Sequence, residues 1–243
     1  MLKYFSVCIL LCVQVRALIL ITVLYPESNL DRVQEYKTCI DNNLKIKDID
    51  TIHVLYDNSV LKQGDQFRLD IWLISKGIKL TYIKGRPTFN FIFEFANNHY
   101  PQQRIIVSNA DIYFDLSLET LRDYDLTNKF LALTRWDVVP STSKNSVSIK
   151  PFVQYYNGQC TSDYSQDAWI FMTPIRTFND ITIKIGEWGC DSELAYQAVQ
   201  SGLEVTNPCL SIHAIHLHLT STRNYKRIDS GRPSQRTPWT ILI

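Results

Sequence analysis

Ile105-Ile106-Val107-Ser108-Asn109-Ala110-Asp111-Ile112-Tyr113-Phe114-Asp115 is an apolar run that breaks abruptly into polar and acidic residues. Ile105, Ile106 and Val107 are consecutive β-branched residues, the pattern of a strand covered on both faces of its sheet. The acidic cluster then falls at the strand's carboxyl end, where open α/β sheets place their ligand crevices. A carboxylate there suits a hard divalent cation held against a diphosphate, and it equally suits a plain turn.

The segments before this run set its context. Leu18–Leu24 is a second buried-strand pattern, closed by Tyr25-Pro26-Glu27-Ser28-Asn29. Asp31 to Leu44 reads as a helix with Val33, Tyr36 and Ile40 in 3/4 spacing, and Thr51–Tyr56 as a strand ending at Asp57-Asn58. Strand, helix and strand in that order imply a right-handed βαβ unit and a parallel sheet. Lys79–Lys84 is a further strand. Gly85-Arg86-Pro87-Thr88 starts the Phe-rich helix Phe89–Asn97, with Thr88 as a cap.

The pattern after Asp115 is less regular. Leu116–Tyr124 reads as a short helix that Asp115 caps, and Phe130–Thr134 as a strand ending in Arg135-Trp136-Asp137. Val139–Ser148 is polar and Ser-rich, the composition of a mobile loop. Asp167–Met172 is a strand. Gly186–Asp191 is a loop into the helix Ser192–Ser201, which Gly202 ends. Leu203–Pro208 is a short strand, Ile212–Thr220 alternates in strand style, and Arg223 to Arg236 is basic and irregular. The expected class is α/β, a mostly parallel Rossmann-type sheet flanked by helices in a single domain of two fused halves.

Composition agrees with such a domain. In 243 residues, 45% are hydrophobic and 20% charged, with only 8 Gly and 9 Pro, which excludes disordered and collagen-like chains. A net charge of +1 gives no reason to expect nucleic acid as a partner. Met1-Leu2-Lys3 and the apolar Tyr4–Val15 read as a signal peptide over residues 1–17, since the run is short of the ~20 residues of a membrane span. The expected location is then the secretory pathway (ER or Golgi) or outside the cell. An uncleaved segment would instead mean membrane association, and a segment that is no signal would mean the cytoplasm. Cys39, Cys160, Cys190 and Cys209 form either two disulfides or four buried thiols.

Leu18–Asn29, Ser108–Asp115, Glu187–Tyr196 and Ile215–Tyr225, with Ala132–Trp136 and Ser165–Phe171, together resemble the GT-A-type nucleotide-sugar glycosyltransferases. Asn109-Ala110-Asp111 stands as a variant of their DxD motif. The resemblance covers residues 18–225 and leaves 226–243 as a C-terminal tail. It implies a GT-A-like fold, a nucleotide-sugar donor, a glycan, glycoprotein or lipid acceptor, and a divalent metal, Mn2+ or Mg2+. Asp111 would be the metal ligand, with His218 or His216 completing the site. Asn109 stands where relatives carry the first Asp, so it would bind ribose or a water instead.

The same resemblance assigns the remaining roles. Tyr25 and Glu27 would border the nucleotide, and Asp57 would accept from base or ribose hydroxyls unless it only makes a turn with Asn58. Arg86 would reach a phosphate or the acceptor unless it is only an exposed helix-start residue. Arg223 would contact the diphosphate, and Arg135, Trp136 and Asp137 would line the cleft. Asp191 is expected as catalytic base at the start of its helix, where it is also a good N-cap. Glu193 shares either role, Asp167 is the second candidate base, and Trp188 would wall the sugar. His213 reads as a core or edge residue, and Lys226 and Arg227 as solvated.

The alternative is a non-catalytic sugar- or nucleotide-binding module that retains the fold, which the Asn109 substitution favours. A nucleotidyltransferase would carry a Gly-rich basic loop after Leu24, and Tyr25–Asn29 has neither Gly nor a basic residue. A G-x-S-x-G hydrolase elbow is absent.

Overall fold

A computed structural model describes residues 17–59, 68–140, 147–156, 159–160, 162–179, 182–220 and 233–242. Residues 1–16 of the expected signal peptide, Arg223, Lys226 and Arg227 lie outside the described residues. In chain order the elements are β1 (Leu18–Leu24), α1 (Leu30–Asn43), β2 (Thr51–Asp57), α2 (Leu69–Ser75), β3 (Lys79–Ile83), α3 (Phe89–His99), β4 (Arg104–Ser108) and β5 (Ile112–Phe114). A 3-10 turn (Leu116–Leu121) leads to β6 (Lys129–Leu133), β7 (Arg135–Pro140), β8 (Val147–Pro151), β9 (Tyr155–Tyr156) and β10 (Gln159–Cys160). Then come β11 (Ala168–Met172), α4 (Cys190–Gln200), β12 (Glu204–Thr206) and β13 (Ala214–His216).

The central sheet runs β12-β6-β11-β4-β1-β2-β3, parallel except where β11 lies against β4 and β6. Period-2 alternation splits each strand between two cores. Leu18, Leu20, Leu24 and Ile106 pack under α1 and α2, with Val33, Tyr36, Ile40, Leu69 and Leu73 facing them. Ile19, Ile21, Ile105 and Val107 pack under α3 and α4, against Phe89, Phe93, Leu194 and Ala198. The second core is aromatic: the Phe93 ring meets Phe171 at 5.2 Å and Phe178 at 5.0 Å, both edge-on. Such pairs contribute about 0.5–1.5 kcal/mol each beyond the area they bury. Caps start α1 and α3: Thr88, as expected, accepts from the Phe91 amide, and Asn29, read only as a loop residue, accepts from the Arg32 amide.

A second sheet, β5-β13-β7-β8, grows from the carboxyl edge of the first. This departs from the sequence reading in three places. Arg135, Trp136 and Asp137 do not end β6; they begin β7, because Asn207 clamps the bend. Its Oδ1 accepts from the Thr134 amide at 3.0 Å, and its Nδ2 donates to Thr134 Oγ1 at 2.8 Å. The stretch expected as a polar loop at Val139–Ser148 is in part a β7–β8 hairpin ladder, through the pairs Val139↔Ser148 and Pro140↔Val147. The strand expected over Ile212–Thr220 is only Ala214–His216, because donors beyond it turn to Asp111 and Glu35 instead of a neighbouring strand.

Three further corrections follow. Asp191 is not a helix N-cap: Gly189, at φ 75, holds that position, and Asp191 sits in the first turn. α2 had no sequence expectation. Cys39, Cys190 and Cys209 are buried free thiols, so the four cysteines do not make two bridges. Among the described residues no helix is long and apolar enough to cross a membrane.

Asn43, buried at the end of α1, clips this helix to β5. Its Nδ2 donates to the Ile112 carbonyl at 3.0 Å, and its Oδ1 accepts from the Phe114 amide at 2.9 Å. Asn43→Ala leaves both backbone groups buried and unpaired, at about 1–3 kcal/mol each. Urea unfolding of that variant is expected to show a loss of about 2–4 kcal/mol.

Candidate active site

The site lies where the two sheets meet. β1 and β4 are neighbours from which the strand order runs off in opposite directions, so their carboxyl ends form a topological switch point. Asp111 follows β4, and its Oδ2 accepts from the Arg32 guanidinium of α1. The same oxygen is 3.2 Å from His216 Nε2 and 3.5 Å from His218 Nδ1. β13 is held between β5 and β7, which puts His216 opposite both Ile112 and Asp137. His218 lies beyond the strand, yet it reaches the same oxygen.

A chain of charges continues from there. His216 Nδ1 meets Asp137 Oδ1 at 2.9 Å, and Arg135 Nε donates to that oxygen at 2.8 Å. Arg135 Nη1 donates to Asp167 Oδ2 at 3.0 Å, and Asn109 Nδ2 donates to Asp167 Oδ1 at 2.8 Å. The Asn109 amide also donates to the Asp167 carbonyl at 3.0 Å, joining the exit of β4 to the entry of β11. Beside Asp167, Asp191 Oδ2 accepts from the Gln166 amide at 3.2 Å.

This arrangement separates the proton affinities of its carboxylates. Burial disfavours the Asp111 charge, but His216, His218 and Arg32 outweigh it and hold the carboxyl well below the usual range. Burial works against a proton on His216, yet facing Asp111 and Asp137 pushes the imidazole up to about 9. Burial and then the neighbouring Asp167 charge push Asp191 up to about 7. Carboxylates driven apart in this way mark a division of roles.

One oxygen of Asp111 and one nitrogen each of His216 and His218 lie within 4.8 Å of one another. The donor set fits a divalent cation. An anionic oxygen and two imidazole nitrogens converge in a spot negative enough to retain a proton on His216.

The other expected residues divide into groups. Tyr25 borders the network, its hydroxyl 3.1 Å from that of Tyr36, which accepts from Arg32 Nε at 3.2 Å. Glu27 is buried and accepts from the Ser28 and Asn29 amides, which shapes the turn after β1. Asp57 and Arg86 form a separate cluster. Asp57 accepts from the amide and hydroxyl of Ser59 and the amide of Gly85, and these bonds outweigh burial and lower its pKa. Arg86 donates to the Gly186 carbonyl at 3.0 Å. Trp136 points away from Arg135 and Asp137, its Nε1 donating to the Cys209 carbonyl at 2.7 Å. Trp188 is 37% exposed in the turn before α4, and Glu193 is buried in that helix. Asp115 caps the 3-10 turn, and His213 pairs with it at 2.9 Å, as expected of an edge residue.

Sequence reasoning missed Arg32 and Glu35. The signal was present, since both are charged residues on the helix face that Val33, Tyr36 and Cys39 bury. A charge on a buried face demands a buried partner.

Neither protein-family models nor curated protein sequences match this chain. Solved structures do. The mannosyltransferase PcManGT from Pyrobaculum calidifontis, solved with GDP-Man and Mn2+, superposes at TM-score 0.52 and 13% identity over 86% of this chain. GalNAc-T7, solved with UDP, GalNAc and Mn2+, superposes at 0.55 and 13% over 92%. The chain spans 59% and 46% of those two chains. The protein therefore has the GT-A fold, in line with the resemblance read from its motifs.

The Asp191 carboxyl is expected to titrate near pH 7, followed by its carboxyl carbon resonance. In Asp167→Asn its midpoint is expected to fall towards the ordinary carboxylate range, because one of its two causes is gone.

Proposed function

We propose that this protein is a glycosyltransferase that moves a sugar from a nucleotide-diphosphate donor to a hydroxyl of a glycan, protein or lipid acceptor. The observation that carries the reading is the pairing of an Asp-His-His donor set with a separate carboxylate poised near neutrality. Asp111, His216 and His218 would hold the divalent cation, which when bound neutralises charge on the departing diphosphate. The two imidazoles favour Mn2+ over Mg2+, which takes mainly oxygen ligands.

Asp191 is the better base of the two candidates. Its raised proton affinity suits removal of a hydroxyl proton near pH 7. Both Asp167 oxygens are committed, to Arg135 and to Asn109, so Asp167 acts by keeping negative charge beside Asp191. Arg135 ties Asp167 to Asp137 and through it to His216, which keeps the base and the cation ligands in one frame. Tyr25 and the β1 turn border the space left for the nucleotide.

Asp111→Ala is expected to lower transfer by ~10²-fold or more, because a metal clamp supplies several kcal/mol. Activity near wild type in that variant would remove the metal assignment. Asp191→Asn is expected to keep donor binding and lose transfer. Since the base works deprotonated, kcat/KM is expected to rise about tenfold per pH unit below 7 and to level off above it. Calorimetric titration with UDP and GDP, each with and without Mn2+, tests the whole reading. Metal-dependent binding of one nucleotide supports it. Binding without turnover of any sugar donor would favour the non-catalytic module, and no binding to either would reject both donor bases.

A further inference from the structure

Glu35 has an unusual set of partners for a helix carboxylate. It is buried on α1, and both oxygens are committed. Oε1 accepts from the Leu219 amide at 2.7 Å and the Thr220 amide at 2.9 Å. Oε2 accepts from Arg32 Nη1 at 2.6 Å and the Thr220 hydroxyl at 3.2 Å. Arg32 in turn reaches Asp111 Oδ2 and, at 3.4 Å, the Leu217 carbonyl. Arg32 and Glu35 are each 7% exposed.

We propose that Glu35 is a positioning residue for the Asp111-His216-His218 centre, acting on His218 through the backbone and on Asp111 through Arg32. The inference rests on the metal-binding reading above. His218 directly precedes the two captured amides, and β13 has already ended at His216, so no strand ladder fixes this segment. The Leu217 amide, just before His218, is taken by the Asp111 carbonyl at 2.9 Å, and the two amides just after His218, of Leu219 and Thr220, are taken by Glu35. One turn of a helix anchored in the core by Val33, Tyr36 and Ile40 thus sets two of the three donors. Ligand geometry is held here by main-chain capture, with no bond from Glu35 to an imidazole. Groups that orient ligands typically govern metal affinity by ~10–100-fold.

The test is Mn2+ affinity of the full chain, measured by calorimetry without nucleotide, with thermal unfolding run alongside. Glu35→Gln replaces one accepting oxygen with an NH2 that cannot accept. It is expected to weaken Mn2+ binding ~10-fold or more. In a His218→Ala background the same substitution is expected to cost less, because one of the two ligands it positions is gone and only the Arg32–Asp111 arm remains. Thr220→Pro removes one captured amide and the hydroxyl while leaving the Arg32–Glu35 pair, so it serves if Glu35→Gln does not fold. It is expected to give the same His218-dependent loss. Unchanged Mn2+ affinity in the folded variants, or a loss equal with and without His218, would overturn the proposal. Failure of the wild-type chain to bind Mn2+ would instead overturn the metal reading, and this inference with it.

Discussion

One oxygen atom, Asp111 Oδ2, organises the cleft. Arg32 of α1, His216 of the second sheet and His218 beyond it all converge on it, although Arg32 and the histidine pair lie far from Asp111 in sequence. Burying a lone carboxylate costs several kcal/mol, so these partners are a condition of the fold as well as features of a site. Remove the convergence and α1, β4 and β13 lose their shared reference point. The second sheet depends on it too, since the His216 side chain links β13 to Asp111 and Asp137.

From that point the charges alternate in sign through Asp137, Arg135 and Asp167. Each anion except Asp191 has a cationic or side-chain donor within bonding distance. Asp191 is buried, with only backbone donors and an anionic neighbour, and its carboxyl is pushed up to about 7. Proton affinity in the cleft is therefore decided by burial and by who sits beside whom, with the helix start adding only backbone N–H bonds.

Much of the fold was legible because it follows from local pattern. Leu18–Leu24, Ile105–Val107 and the Phe-rich α3 are strands and helix by periodicity alone, and the βαβ rule then dictates a parallel sheet. Asp111 was legible as a site residue because it falls where such a strand ends. The second sheet was not, since its order β5-β13-β7-β8 joins short segments from distant parts of the chain. Short strands carry little periodic signal, and pairing of β13 with β7 leaves no mark in either segment. Asp57 and Arg86 had plausible site chemistry, but the structure ties them to Ser59, Gly85 and Gly186. Arg32 and Glu35 share the face of α1 that Val33, Tyr36 and Cys39 bury, so the spacing told of a buried charge pair, while its partners Asp111, Leu219 and Thr220 come from distant parts of the chain.

β11 runs against its two neighbours, so its entrance, not its exit, opens on the cleft. Asp167 at that entrance has its amide bonded to the Leu133 carbonyl and its carbonyl to the Asn109 amide. The segment that follows β1 is a turn, and the one that follows β4 carries Asp111, whose carbonyl accepts from the Leu217 amide. Asp167 is instead stitched between two strands, so sheet register and not the conformation of a loop sets its carboxylate beside Asp191.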